Sequence, residues 1–418
     1  MNRLPINTAR RALGLGVFLC SLALTSGCAN RSAYVKEGLS IAEERAATLK
    51  AGTEWNMAHQ AFLAGDLDRA MSKVEQSISI SPNVAKSHVL RGRILMERGQ
   101  MGPALEAFEM ATTVDDQSFD AYYYSGLVFE RLERRGQALD AFIKAAQLDP
   151  TNAQYFIAAA EVLIDEGRLD EAAELLDVRE GEFRTNSGVR HTMGHISMLQ
   201  EDYEKAAVLF NETRLLLPEE PAVVEDLVAA LIASSDFAEA ERQISRLLRE
   251  EDYDGRHDML HLKGRCLIEL GRLGEARQVY LELTSDLEGA TDPEAWMGLA
   301  RVSLKLGDKQ RLRRSLARAL ALAPDRAEPH LLDSLARREA GDLVGALVSA
   351  RRATALAPTN VSALTLQGVL ELDTNRPDLA AQTFSRAAEL RPGDGSIQRL
   401  MAAAENAGGR FASVPDSE

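Results

Sequence analysis

A small residue returns every 34 positions along most of this chain, and that return constrains the fold more than any other feature. Ala70, Ala104, Ala138, Ala172, Ala206 and Ala240 follow at that interval, Ala276 and Leu312 at 36, then Ala346 and Ala380 at 34 again. The prolines are an independent ruler. Pro82, Pro150 and Pro218 are spaced by 68, Pro324, Pro358 and Pro392 by 34, and the 106 residues between Pro218 and Pro324 are three periods plus four. Both rulers contain the same four additional residues, which an abundance of Ala would not produce. They divide into two insertions of two, placed within 250–256 and 286–292. A period of this length implies one supersecondary unit repeated side by side, each copy burying its apolar face against its neighbours.

The content of the period says what the unit is. Twelve residues before each marker stands another compact residue: Ala58, Gly92, Gly126, Ala160, Gly194, Val228, Gly264, Ala300, Ser334 and Gly368. Four residues after it comes a larger apolar one in most units, as at Phe108, Phe142, Leu176, Phe210, Tyr280 and Phe384. Small side chains let two helices approach, and the larger one fills the space they leave. Between the two positions lie turns such as Gly65-Asp66-Leu67, Gly167-Arg168-Leu169 and Gly341-Asp342-Leu343. There Gly closes a first helix and a short polar residue starts a second. With 418 residues, 45% of them hydrophobic and only 5% aromatic, the chain suits helices and is long for one globular core.

This period, with these small residues and prolines, resembles the tetratricopeptide repeat family over residues 51 to about 394. The resemblance implies a right-handed α-solenoid of about ten helical hairpins, with units starting near 51, 85, 119, 153, 187, 221, 257, 293, 327 and 361. Leu312, Val228 and Ser334 depart from the pattern, and Arg337 falls where a large apolar residue would pack, so units six to nine are the least regular. Residues 395–407 are expected to form a capping helix, and 408–418 a disordered tail.

The N-terminus reads as an address. Arg10 and Arg11 lead into the apolar run Leu13 to Leu24, too short to span a bilayer as a helix, and then into Thr25-Ser26-Gly27-Cys28. This ending resembles the lipobox of bacterial lipoproteins, although Thr25 stands where Leu is usual. The resemblance implies a signal peptide over 1–27, lipidation at Cys28, and a tether or leader helix over 28–50. Ala29, in place of Asp, implies the outer membrane, with the array facing the periplasm. A plain secretory signal is the alternative. Residues 1–27 carry Arg3, Arg10, Arg11 and no acid, so the net charge of −15 becomes −18 once they are removed. That balance repels nucleic acid. Cys20, Cys28 and Cys266 are not spaced as a disulfide framework, and Cys266, inside an apolar helical pattern, reads as a small core residue.

In the family, the inner groove is lined by first-helix residues offset by one from those that pack. Carried to this sequence, the rule nominates Trp55, His59, Phe62, Val89, Arg93, Tyr123, Leu127, His191, His195, His261 and Arg265, a surface suited to a partner helix or extended peptide. Trp55 and Phe62 could instead cover the first unit against the leader segment. The Asn and Lys clamp with which some family members hold a C-terminal carboxylate is missing. The pairs His191/His195 and His257/His261 each lie on one helical face, but no third ligand follows from the pattern, so no metal is expected. Nor does the sequence carry a phosphate loop or nucleophile elbow, and no cofactor or enzymatic activity is expected.

The sequence therefore points to a membrane-anchored scaffold or assembly factor for other proteins in the bacterial cell envelope, of the pilus, secretion or outer-membrane assembly type. A docking regulator of a cell-wall enzyme is the second reading, and a metal-dependent enzyme at the histidine face the third. Oligomeric state is left open.

Overall fold

The computed structural model describes residues 28–218 and 220–412, with side chains inside those spans except at 28–39, 180 and 408–412. The signal expected over 1–27, the Cys28 side chain and residues 413–418 lie outside that description. Among the described residues the chain is all-α, with 22 α-helices and no strand. No described helix is long and apolar enough to cross a membrane.

The helices fall into two compact units, divided after Glu166. The first contains α1 (Cys28–Leu63), α2 (Leu67–Ile80), α3 (Ala85–Glu97), α4 (Met101–Val114), α5 (Phe119–Arg131), α6 (Arg135–Leu148) and α7 (Ala153–Asp165). The second opens with α8 (Leu169–Asp177) and the short α9 (Glu180–Phe183), followed by α10 (Ser187–Leu199), α11 (Tyr203–Leu216), α12 (Pro221–Ala233) and α13 (Phe237–Leu247). It continues through α14 (His257–Glu269), α15 (Leu273–Leu283), α16 (Pro293–Lys305), α17 (Lys309–Leu322), α18 (Ala327–Glu339), α19 (Leu343–Leu356), α20 (Val361–Asp373), α21 (Pro377–Leu390) and α22 (Gly395–Ala412). Within each unit a helix packs chiefly on its neighbours in sequence, the stacking of an α-solenoid. No separate break marks off a leader: α1 runs without interruption into the first hairpin. At the other end, α22 extends past residue 407 to Ala412.

Hairpin turns follow one backbone rule. The residue closing each first helix has positive φ at 65, 99, 133, 167, 201, 235, 271, 307, 341 and 375. Six of these are Gly, which adopts that conformation freely, and Asn375 is of the type that tolerates it best after Gly, but Glu133, Glu201 and Ser235 hold it with side chains that disfavour it. Aspartates then start the second helices. Asp66 accepts from the amide of Arg69, Asp202 from Lys205, Asp236 from Glu239, Asp308 from Arg311 and Asp342 from Gly345. Prolines at 82, 150, 218, 324, 358 and 392 stand one residue past the second helices' C-caps, where they cannot lengthen them.

The core is a ladder of size-matched pairs sixteen residues apart. An added Cβ at Gly92, Gly126, Gly194, Gly264 or Gly368 would come within 2.3–2.6 Å of the ring at Phe108, Phe142, Phe210, Tyr280 or Phe384 respectively. Each of those rings is at most 1% exposed. Where the first member is larger the second is aliphatic: Ala58 with Val74, Val228 with Ile244, Ala300 with Leu316, all buried. Ser334 is paired with Ala350 at the same positions, and its hydroxyl donates to the Ala346 carbonyl at 2.8 Å. Tyr280 is gripped from two sides, since a Cβ at Gly298 would also strike its ring, at 2.1 Å. Burying each such ring contributes about 1.5–3 kcal/mol before ordering costs.

The irregular stretches take definite forms. The insertions hold single 3₁₀ turns at Glu251–Tyr253 and Gly289–Thr291. Arg337 does not fill a core position; it is exposed and bridges Asp333 at 2.8 Å and Asp342 at 3.1 Å. Cys266 is 1% exposed among the residues joining α12, α13 and α14, and burial pushes its thiol up to about 11.

Candidate functional site

In the first unit, α1 and α3 present the nominated residues on one side and α5 closes the end. Trp55 stacks on His59 at 5.1 Å between ring centroids, with rings within 6° of parallel. Its indole N–H donates to the Lys86 carbonyl at 3.1 Å, and the Lys86 ammonium lies 4.6 Å from the ring centre. One repeat further, the Arg93 guanidinium lies between two rings, 4.8 Å from Phe62 and 4.7 Å from Tyr124. Both distances are within cation–π range. Trp55, Lys86, Arg93 and Tyr124 border a cleft of about 220 Å³ whose walls also include Phe119 and Asp120, while His59 and Phe62 lie behind Trp55 and Arg93 and do not line it.

Not every nominated residue faces that cleft. Val89 is 7% exposed and belongs to the α3–α4 core, reaching the cleft only as part of its wall. Leu127 packs against the same core. Tyr123 turns toward α6 and α7, lying 5.7 Å from Phe142 and 5.1 Å from Tyr155, and its hydroxyl accepts from Gln154 at 2.8 Å. Burial raises its pKa, and Tyr124 adds to the effect. Tyr124, one residue on, is the ring the cleft uses; burial raises its pKa and Arg93 opposes the rise. The helical offset separates the two tyrosines by about 100° around α5, so counting by one residue decides which faces the opening.

In the second unit, His191 and His195 rise from α10 with their rings 4.5 Å apart, both resting against the buried ring of Phe210. The fold supplies what the sequence pattern lacked, a third donor. Asp226, on α12 of the next hairpin, places Oδ2 2.8 Å from His191 Nε2 and 3.7 Å from His195 Nε2. Burial holds the His195 imidazole below its ordinary pKa, with His191 contributing and Asp226 opposing. His261 meets the α16 cap instead, its Nε2 2.6 Å from Asp292, while Arg265 is exposed on the next turn of α14.

An all-α array of helical hairpins, each packed chiefly on its neighbours, defines a helical repeat protein. The tetratricopeptide repeat model matches residues 89–153, 125–184, 226–291 and 331–395, more than half of the chain, and the chain belongs to that family. Arrays of this family act as scaffolds for protein–protein interaction and are in general not enzymes. The chain is 24% identical over 226 residues to DnaJ homolog subfamily C member 3 of Bos taurus and of Homo sapiens, matching 54% of its own length and 40% of theirs. Among solved structures it is similar to the APC/C heterotetramer Cut9–Hcn1, with a TM-score of 0.43 and 12% identity over 88% of this chain and 94% of that one. It is also similar to a tetratricopeptide repeat protein of Parabacteroides merdae, with a TM-score of 0.41 and 13% identity over 61% of this chain and 99% of that one.

Proposed function

We propose that this protein is a lipid-anchored scaffold or assembly factor of the bacterial cell envelope that holds a helix or extended segment of a partner protein in the groove of its first unit. The observation that carries the binding site is the cleft between α1, α3 and α5. Trp55, Phe119 and Tyr124 offer apolar surface there, and Lys86 and Arg93 offer charge-assisted donors. Aromatic and Arg side chains fixed by packing lose little entropy on binding, and they dominate interface energetics. The arrangement suits one apolar side chain of the partner flanked by acceptors. Anchoring at Cys28, with the array in the periplasm at the outer membrane, rests on the Thr25-Ser26-Gly27-Cys28 sequence. Two acyl groups would suffice for stable attachment.

The test is chemical crosslinking in intact cells, followed by recovery from detergent-solubilised membranes, for the wild type and a Trp55→Ala/Arg93→Ala/Tyr124→Ala variant. The reading predicts envelope-assembly components captured by the wild type and lost from the variant. Identical protein sets from both would place binding elsewhere. A Cys28→Ser variant that remained in the membrane fraction as the wild type does would remove the anchor from the proposal.

A further inference from the structure

We infer that His191, His195 and Asp226 form a binding site for a zinc-class divalent transition metal, which ties α10 to α12. Three lines of geometry support it. First, the donors converge: all three ligand atoms lie within 4.8 Å of one another, and no other group of three His, Cys, Asp or Glu does so among the described residues. Zinc bonds of about 2.0–2.2 Å set tetrahedral donors about 3.4 Å apart, and the 2.8 and 3.7 Å separations from Asp226 bracket that value. Small side-chain rotations complete the site.

Second, the donors are mounted on rigid elements. His191 and His195 are one helical turn apart on α10 and lean on Phe210, while Asp226 comes from the middle of α12. Without metal, the bond between His191 and Asp226 already holds the carboxylate beneath both imidazoles. Third, the other histidine pair of the same spacing shows that spacing alone does not build a site. His257 Nε2 goes to Asp286 at 2.7 Å and His261 Nε2 goes to Asp292 at 2.6 Å, two separate carboxylates in place of one shared.

Two nitrogens and one oxygen select a borderline metal such as zinc over calcium or magnesium, which prefer all-oxygen sites. His191, His195 and Asp226 are each between a third and a half exposed, so a fourth position is open to water or to a donor from a bound partner. Binding requires both Nε2 atoms unprotonated and replaces the His191–Asp226 hydrogen bond with two metal bonds.

The inference is independent of the groove reading and is tested on untagged, EDTA-stripped protein by calorimetric titration with zinc chloride. Expected is one saturable site per chain at micromolar zinc, weakened at least tenfold in His195→Ala and Asp226→Asn and unchanged in His257→Ala. Zinc should also raise the thermal midpoint of the wild type and leave that of Asp226→Asn in place. Circular dichroism of each variant without metal confirms that the fold is kept. Absence of saturable binding below millimolar zinc would overturn the inference, and so would equal binding by all four proteins.

Discussion

The matched pairs of the core make a quantitative claim about Gly126. Replacing it with Ala puts a methyl carbon 2.5–2.9 Å from three ring atoms of Phe142, a side chain that is fully buried and has no room to retreat. Forcing a methyl into a packed core costs about 1–3 kcal/mol, and the better helix propensity of Ala returns about 1 kcal/mol, for a net loss of about 0–2 kcal/mol. Phe142→Leu alone leaves a void and costs about 1–2 kcal/mol. Together the two changes recreate the combination already present at Ala300 and Leu316. The double variant should therefore lie within about 1 kcal/mol of wild type, a coupling of about 2 kcal/mol. Urea midpoints followed by circular dichroism give the ranking. Hydrogen exchange of α5 and α6 localises it, which matters because repeat arrays can open in parts. Gly52→Ala is the control, since a Cβ there meets nothing within 4 Å in the middle of α1, and it should stabilise slightly. Additive losses in the double variant, to within about 0.5 kcal/mol, would refute size matching as the organising rule of the core.

Glu133→Gly relieves a left-handed residue at a hairpin turn and should stabilise α5 and α6 by about 0.5–1 kcal/mol, seen as a higher urea midpoint. Glu371 is 1% exposed and accepts from Arg351, Gln367 and Thr383. Arg351→Ala strands that carboxylate without its cation and should cost about 2–4 kcal/mol in the α19–α20 region, measured by thermal unfolding, whereas a loss under about 0.5 kcal/mol would show that the pair is not coupled. Hydrogen bonds from the Gly289 amide and from His257 hold the Asp286 carboxyl below its ordinary pKa. A depressed folded-state pKa stabilises above the unfolded value and loses that contribution as pH falls through the folded one. Exchange protection of residues 286–292 should accordingly fall on acidification below the ordinary carboxylate range, and Asp286→Asn should flatten the dependence.

Periodicity made the hairpins legible, because the fold repeats one steric rule and every copy shows the same small residues. The close approach of Gly126 to Phe142 was implied by residue sizes sixteen apart. What escaped the sequence depends on atoms that periodicity does not order. Glu133, Glu201 and Ser235 adopt positive φ because the hairpin imposes it, and nothing in those residue types announces it. Only the orientation of α5 separates Tyr124 from Tyr123. Asp226 becomes a partner of His191 through the stacking of α12 on α10, 35 residues away in the chain.

Site-specific photocrosslinking tests the central claim most directly, with a photoreactive amino acid placed at Gln117, an exposed residue of the cleft wall, and, in a second protein, at Glu109 on the exposed side of α4. The account predicts partner adducts from position 117 that Trp55→Ala/Tyr124→Ala abolishes, and none from position 109. Adducts from position 109 with none from position 117 would contradict it.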